Sequence, residues 1–129
     1  MVRRRNRDSA KKAGAQFERL VADYLNRHVD DRIDRRVKTG AKDRGDIAGL
    51  RHMGERVVAE CKNTTKPSLA AWAGEVEIER GNDDAVAGVI VHKRHGKAQA
   101  ADQWVTMTLA DFVALLTGSR DHLEKETNK

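Results

Sequence analysis

Cysteines, aromatic residues and long apolar runs, which mark several classes of protein, are scarce in this 129-residue chain. Its one cysteine, Cys61, excludes an intramolecular disulfide and a cysteine-rich zinc site. Phe, Trp and Tyr make up 4% of the residues, which argues against extensive stacking of nucleic-acid bases on aromatic side chains. No apolar run approaches the ~20 residues that span a bilayer, and no apolar segment follows the charges of MVRRRNRDSAKK as in a secretory signal. We therefore expect a cytoplasmic protein without membrane contact.

Positive charge is concentrated in the first third of the chain. Residues 1–45 carry 14 basic and 7 acidic side chains, whereas residues 46–129 carry 11 and 13. This asymmetry indicates a polyanionic partner. Residues 1–8 are predicted to form a flexible basic arm that contacts nucleic acid, and a solubilising tail is the alternative. The arginines of this arm are Arg3, Arg4, Arg5 and Arg7.

The length fits one domain, predicted over residues 9–117 and followed by a polar tail, residues 118–129, that is expected to fray. Hydrophobic periodicity predicts an α/β domain with a mixed sheet flanked by helices, in the order αβββαββα. Ser9, Ser68 and Thr108 are expected to cap the first, second and last helices. The predicted helices are 9–28, 68–80 and 108–116, and the predicted strands are 32–38, the two arms of a hairpin over 45–62, 85–92 and 104–108.

The hairpin, GDIAGLRHMGERVVAECK, carries charged residues where a buried strand normally carries apolar ones. Strand alternation puts Glu60 and Lys62 on one face and Cys61 on the other. If residues 52–54 form the loop, Asp46 falls opposite Glu60, with Cβ atoms roughly 4.5–5.5 Å apart. Two carboxylates that close repel each other unless a cation lies between them. The spacing predicts a divalent metal site beside a lysine; the alternative is a surface ion pair between Glu60 and Lys62, which contributes only ~0–1 kcal/mol.

Asp46 and the run Glu60-Cys61-Lys62 resemble the D…(D/E)xK signature of the PD-(D/E)xK nuclease superfamily. Upstream, GAQFERLVADYL resembles the first helix of the Holliday junction resolvase branch, in which a glutamate matches Glu18. Downstream, SLAAWAGEVEIERGNDDAVAGVIVHKRHGKA resembles the helix and fourth strand of small resolvase-like proteins from phages and bacteria. The resemblance covers about residues 14–116, and Gly45 stands where the signature has proline.

This resemblance implies a restriction-endonuclease-like core and a metal-dependent endonuclease that hydrolyses DNA phosphodiester bonds. More narrowly, it implies a homodimeric resolvase of four-way junctions that acts in recombination, replication or repair, in a bacterial cell or a phage-infected host. Two alternatives stay open. One is a restriction-like, nicking or end-processing nuclease of the same superfamily, and the other is a non-catalytic DNA-binding module.

The resemblance also implies a role for each site residue. Asp46, Glu60 and the main-chain carbonyl of Cys61 are expected to hold Mg²⁺ or Mn²⁺ through oxygen ligands. Glu18 would complete the ligand shell or hold a second ion through water; its alternative is a solvated glutamate paired with an arginine. Lys62 is expected to orient or help deprotonate the attacking water and to stabilise charge on the phosphate.

Several residues around this site are assigned more loosely. The resemblance implies that Glu75, on the second helix, faces the site, whereas Trp72 is expected to lie in the core rather than to bind a ligand. Basic residues expected to contact DNA lie on the first helix, the first strand, the loop 39–45 and the segment after residue 92: Lys11, Lys12, Arg36, Lys38, Lys42, Arg44, Lys93 and Arg94. The alternatives are an edge strand whose charges prevent aggregation and a plain surface turn.

Overall fold

The computed structural model describes residues 6–38 and 40–127. It confirms an α/β domain whose mixed four-stranded sheet is flanked by helices. The helices are α1 (Arg7–His28), α2 (Leu69–Asp83), α3 (Leu109–Thr117) and α4 (Asp121–Thr127). The strands are β1 (Asp34–Arg35), β2 (Ile47–Ala48), β3 (Arg51–His52), β4 (Glu55–Lys62), β5 (Ala87–His92) and β6 (Trp104–Thr106).

The sheet has the strand order β3-β4-β5-β6. Its two central strands, β4 and β5, run parallel from the pair Val57–Ala87 to the pair Lys62–His92, and the outer pairs are antiparallel. The apolar residues 57–59 of β4 and the apolar run of β5 account for the central position of these strands, since both faces are covered there. Strands β1 and β2 form a separate antiparallel pair.

Helices α1 and α2 cover opposite faces of β4. Phe17 of α1 belongs to the same core cluster as Ala59, and Cys61 packs against that cluster. Trp72 of α2 packs with Val58, which confirms the prediction that this tryptophan lies in the core. Near its end, β4 therefore directs odd-numbered residues toward α1 and even-numbered residues toward α2. Within the described ranges, every helix is too short or too polar to cross a bilayer.

The turn of the hairpin is shorter than expected. His52 pairs with Glu55, so Met53 and Gly54 alone make the turn, with φ values of 53° and 80°. Positive φ at both central residues defines the type I′ turn, whose twist matches that of the strands it joins. The predicted three-residue loop over 52–54 is therefore wrong.

The predicted register, with Asp46 directly opposite Glu60, is wrong as well. The first arm of the hairpin is split into β2 and β3, and β2 pairs with β1 instead of β4. Beyond this break, the backbone amide of Asp46 donates to the carbonyl oxygen of Ala59 at 2.9 Å. Asp46 thus still lies beside the end of β4, because the break between β2 and β3 offsets the change in register that the shorter turn introduces.

The N-terminal boundaries also differ from expectation. Helix α1 begins at Arg7 rather than Ser9, because Oδ1 of Asn6 accepts a hydrogen bond from the Ser9 amide at 2.8 Å and caps it. Part of the expected arm is therefore helical. The strand predicted over 32–38 is reduced to Asp34–Arg35, which pairs only with the short β2.

The C-terminal half departs from the prediction in its helices. Helix α2 continues to Asp83, and Ser68 makes no side-chain capping bond, whereas Thr108 caps α3 as expected. Helix α4 forms in the segment expected to fray, where the Arg120 guanidinium donates to Val86 O at 2.7 Å and to Asp111 at 3.0 Å. The observed order is αββββαββαα.

Candidate metal centre

A cleft of about 480 Å³ opens at the end of β4, between α1 and α2. Its lining includes six acidic side chains and two lysines. Every residue assigned a catalytic or metal-binding role from the sequence lines this cleft, and so does Glu75. The residues that line it are Gly14, Glu18, Lys38, Asp43, Asp46, Glu60, Cys61, Lys62, Glu75, Ile78 and Glu79.

Asp46 is buried and held firmly by the main chain. Its Oδ2 accepts a hydrogen bond from the backbone amide of Cys61 at 2.8 Å, and its carbonyl oxygen accepts one from the Arg36 amide at 2.8 Å. Oδ1 lies 3.8 Å from Nζ of Lys38. One carboxylate oxygen thus fixes the side chain, and the other remains available in the cleft.

The glycine before Asp46 is required by the backbone. Gly45 has φ of 90°, and a Cβ built there would lie 2.8 Å from Cγ1 of Val58 and 3.0 Å from the carbonyl oxygen of Ala59. Proline, whose ring fixes φ near −65°, cannot adopt this conformation. The departure from the D…(D/E)xK signature at this position therefore follows from the close contact between Gly45 and β4.

Glu60 is the most perturbed carboxyl group of the cleft. The residue is 7% exposed and makes no ion pair with any residue that the structure describes. Burial, together with the nearby carboxyl groups of Asp46 and Glu79, raises the pKa of Glu60 to about 11. The alternative of a surface ion pair with Lys62 is wrong, because Nζ of Lys62 donates to Glu75 at 2.8 Å instead.

Lys62 is held in its charged form. Burial lowers its pKa, but the hydrogen bond to Glu75 and the electrostatic attraction of the neighbouring glutamates outweigh burial, and the pKa is raised. A lysine that keeps its proton stabilises negative charge and does not deprotonate water. For Lys62, the structure therefore favours the expected role of stabilising charge on the phosphate over that of deprotonating the attacking water. Glu75 lines the cleft, as the resemblance implied.

Glu18 approaches the cleft from α1. Its Oε2 lies 3.7 Å from a guanidinium nitrogen of Arg35, so the expected arginine partner is present. Glu18 also lines the cleft. Burial raises the pKa of Glu18, and the negative charge of Asp46 raises it further. The two interpretations of Glu18 are therefore compatible.

Sequence reasoning missed Asp43 and Glu79. Together with Glu60, these residues each offer one carboxylate oxygen, and the three oxygens lie within 4.8 Å of one another. Glu79 is 3% exposed, and burial raises its pKa to about 7. One signal was available, because Glu79 is four residues after Glu75 and residues at this spacing share a helix face.

The chemistry of the donor set fits Mg²⁺ or Mn²⁺. Carboxylate and main-chain carbonyl oxygens are hard ligands that these ions prefer. Oε2 of Glu79 is buried and has no hydrogen-bond partner among the described residues, which is the situation that a bound cation resolves. The acids of the cleft outnumber its lysines, and both lysines lie next to acids.

The loop over residues 40–45, called the basic loop because it carries Lys42 and Arg44, adjoins the acidic cleft, called the metal cleft. A second cavity of about 460 Å³ shares Lys38 and Asp43 with the cleft, and its basic lining residues are Arg36, Lys38, Lys42 and Arg44. Lys42 and Arg44 are exposed. Arg36 is half-buried, and its guanidinium lies 3.8 Å from the buried carboxylate of Asp83, so it is less available to DNA than expected.

The other basic residues are spread more widely. Arg3, Arg4 and Arg5 lie outside the described residues, whereas Arg7, Lys11 and Lys12 are exposed on α1. Lys93 and Arg94 are half-buried after β5. The Lys93 ammonium donates to the carbonyl oxygen of Lys97, and the guanidinium of Arg94 lies 4.5 Å from the ring centroid of Trp104.

No protein-family model, curated protein or solved structure matches this chain. The nuclease superfamily therefore remains an interpretation of the residues that resemble it. The structure itself brings Glu18, Asp46, Glu60 and Lys62 to one acidic cleft beside a basic loop.

Proposed function

We propose that this chain is a metal-dependent endonuclease that hydrolyses DNA phosphodiester bonds. The observation that carries the proposal is the burial of Glu60 next to Asp46 and Glu79 without a cationic partner among the described residues. Burying such a carboxyl group costs free energy unless a cation or a proton compensates it. A buried carboxyl group of this kind in the lining of a cleft is typical of a functional site rather than of a group that stabilises the fold.

The residues of the cleft would have separate roles in hydrolysis. Asp46, Glu60 and the carbonyl of Cys61 would hold Mg²⁺ or Mn²⁺, with Glu18 near enough to Asp46 to complete the ligand shell. Once bound, such an ion polarises the phosphoryl oxygen and lowers the pKa of a bound water. Lys62, kept protonated beside the carboxylates, stabilises the negative charge that builds up on the phosphate.

Binding of the substrate is assigned to the basic loop. Lys42 and Arg44 are exposed in the cavity next to the metal cleft, and Lys38 lines both. Cations in this position suit the phosphates that flank the bond to be cut, and phosphate contacts orient DNA without reading its sequence. Branched DNA as the preferred substrate, and a homodimer as the active form, follow from the resemblance to resolvases. Analytical ultracentrifugation of the purified protein tests the dimer.

A cleavage assay tests the proposal. Supercoiled plasmid incubated with the protein and Mg²⁺ should be nicked or linearised, and EDTA should prevent this. Asp46→Asn, Glu60→Gln and Lys62→Ala should each reduce cleavage by about 100-fold or more, as expected when a group that stabilises the transition state is lost. Glu77→Gln is the matched control, since Glu77 pairs with Arg80 and lies outside the cleft.

The substrate is then resolved by comparing a four-way junction with a linear duplex of the same sequence. Faster cutting of the junction supports a resolvase, whereas equal rates support a nicking or end-processing nuclease. If the protein binds DNA but cuts none of these substrates with either Mg²⁺ or Mn²⁺, it is a DNA-binding module and the proposal is wrong.

A further inference from the structure

The carboxyl groups of the cleft extend beyond the residues that match the nuclease signature. Asp43 comes from the basic loop, Glu60 from β4 and Glu79 from α2, so three separate elements contribute to one group. We propose that Asp43, Glu60 and Glu79 form a second binding site for a hard divalent cation, which shares Glu60 with the site at Asp46. Its catalytic role rests on the proposed function, whereas cation binding at the site does not.

The spacing of the three carboxylates suits a single ion. Their nearest oxygens lie within 4.8 Å of one another. Ligand oxygens lie about 2.0–2.6 Å from Mg²⁺ or Ca²⁺, so two oxygens on the same ion are at most about 4–5 Å apart. The side chains therefore need little movement to reach a common cation.

The unpartnered oxygen of Glu79 indicates a cation more strongly than the spacing does. The residue is 3% exposed, and its Oε2 is buried without a hydrogen-bond partner among the described residues. Ionised carboxylates accept hydrogen bonds but donate none, so this oxygen needs either a proton on a neighbouring acid or a cation as its partner. The lysine nearest along β4, Lys62, donates to Glu75 instead. A cation in the cleft supplies the missing partner.

Two hydrogen bonds hold Asp43 in place for this role. The side-chain amide of Asn82 donates to the carbonyl oxygen of Asp43 at 2.8 Å, and the Gly45 amide donates to Oδ1 of Asp43 at 2.9 Å. Asn82 is three residues after Glu79 on α2. The same helix thus supplies one acid of the site and anchors the loop that supplies another.

Two cations that share Glu60 would match a known arrangement for phosphodiester hydrolysis. In two-metal sites the ions stabilise both the attacking and the leaving oxygen of an in-line displacement. Because Asp43 belongs to the basic loop, occupation of the second site would also fix that loop, which carries Lys42 and Arg44, against α2.

The test counts Mn²⁺ ions on the full chain without DNA. Free Mn²⁺ is followed by electron paramagnetic resonance while the ion is titrated into metal-free protein at pH 8. We expect two ions per wild-type chain. Glu79→Gln and Asp43→Asn should each weaken one ion by about 10-fold or more and spare the other, because each removes one charged ligand. Glu77→Gln, on the same helix but outside the cleft, should keep both ions.

Asp46→Asn separates this inference from the proposed function. Loss of one ion in Asp46→Asn and of the other in Glu79→Gln supports both sites. If Glu79→Gln removes an ion and Asp46→Asn removes none, the second site stands and the metal site of the proposed function is wrong. Unchanged Mn²⁺ binding in both Glu79→Gln and Asp43→Asn overturns the inference and means that these acids share protons instead. Because Asp43 is exposed, its substitution keeps the test decisive even if Glu79→Gln does not fold.

Discussion

Replacement of Glu60 by glutamine should stabilise the metal-free protein, although substitution of a buried residue ordinarily destabilises a fold. Glutamine keeps the size of the side chain and removes its charge. Its amide can also donate hydrogen bonds to the neighbouring carboxylates of Asp46 and Glu79. The variant should therefore be more stable than the wild type in EDTA and yet inactive toward DNA.

Two independent routes give the size of this effect. The carboxylate oxygens of Asp43, Glu60 and Glu79 lie within 4.8 Å of one another, and two unit charges at that distance repel by about 1 kcal/mol in water and about 3 kcal/mol at an effective dielectric constant of 20. Alternatively, a carboxyl group that stays protonated at pH 7, with a pKa of 4.5 in the unfolded chain, costs the fold about 3 kcal/mol. We expect a gain of about 1–3 kcal/mol at pH 7.

The pH dependence follows from the direction of the pKa shift. The pKa of Glu60 is raised from 4.5 to about 11 in the folded protein. The folded chain therefore binds more protons than the unfolded chain between these values, and the wild type loses stability as the pH rises above 4.5. Glutamine does not titrate, so the advantage of the variant should be small near pH 4.5 and should grow toward pH 8.

Urea and thermal denaturation in EDTA between pH 4.5 and 8 measure this effect. For a domain of this size, 1 kcal/mol corresponds to a shift in Tm of about 3–6 °C. Glu55→Gln, at the exposed start of the same strand, should leave the stability unchanged. If Glu60→Gln is less stable than the wild type at pH 8 by about 1 kcal/mol or more, Glu60 accepts a structural hydrogen bond and the reasoning from repulsion is wrong.

Three further variants test other parts of the molecule. Glu18→Gln should raise the Mg²⁺ concentration needed for half-maximal cleavage with DNA affinity intact, and an unchanged titration would remove Glu18 from the site. Lys42→Ala combined with Arg44→Ala should lower the slope of log K against log salt by about 0.9 per lost phosphate contact, measured by fluorescence anisotropy; an unchanged slope would mean that the loop does not touch DNA. Trp72→Ala should cost about 3–5 kcal/mol in urea denaturation, and a loss below about 1 kcal/mol would contradict its place in the core.

The sequence was sufficient where local pattern decides the structure. The hydrophobic periodicity of α1, the apolar residues 57–59 of β4 and the apolar run of β5 predicted these elements, since their apolar side chains lie in the core. The spacing of Asp46, Glu60 and Lys62 also predicted that they share a site. That expectation rested on a wrong register, and the three residues nevertheless line one cleft because the break between β2 and β3 brings Asp46 to β4.

The remainder depended on contacts between distant residues, which periodicity does not encode. Asp43 reaches the cleft because Asn82, far along the chain, binds its carbonyl oxygen. Glu79 enters the cleft because α2 packs on the face of the sheet that Glu60 shares. Helix α4 has a polar sequence and forms where Arg120 binds the Val86 carbonyl oxygen and Asp111. None of these partners is adjacent in sequence.

The central claim is that the acidic cleft at the end of β4 binds a divalent metal, and anomalous diffraction from Mn²⁺-soaked crystals tests it most directly. We expect a manganese peak between the carboxylates of Asp46 and Glu60, next to the main-chain carbonyl of Cys61. The contradicting result comes from crystals soaked above neutral pH. These crystals would show well-ordered carboxylates and no manganese peak at the cleft, with Lys62 turned to neutralise Glu60 instead of Glu75.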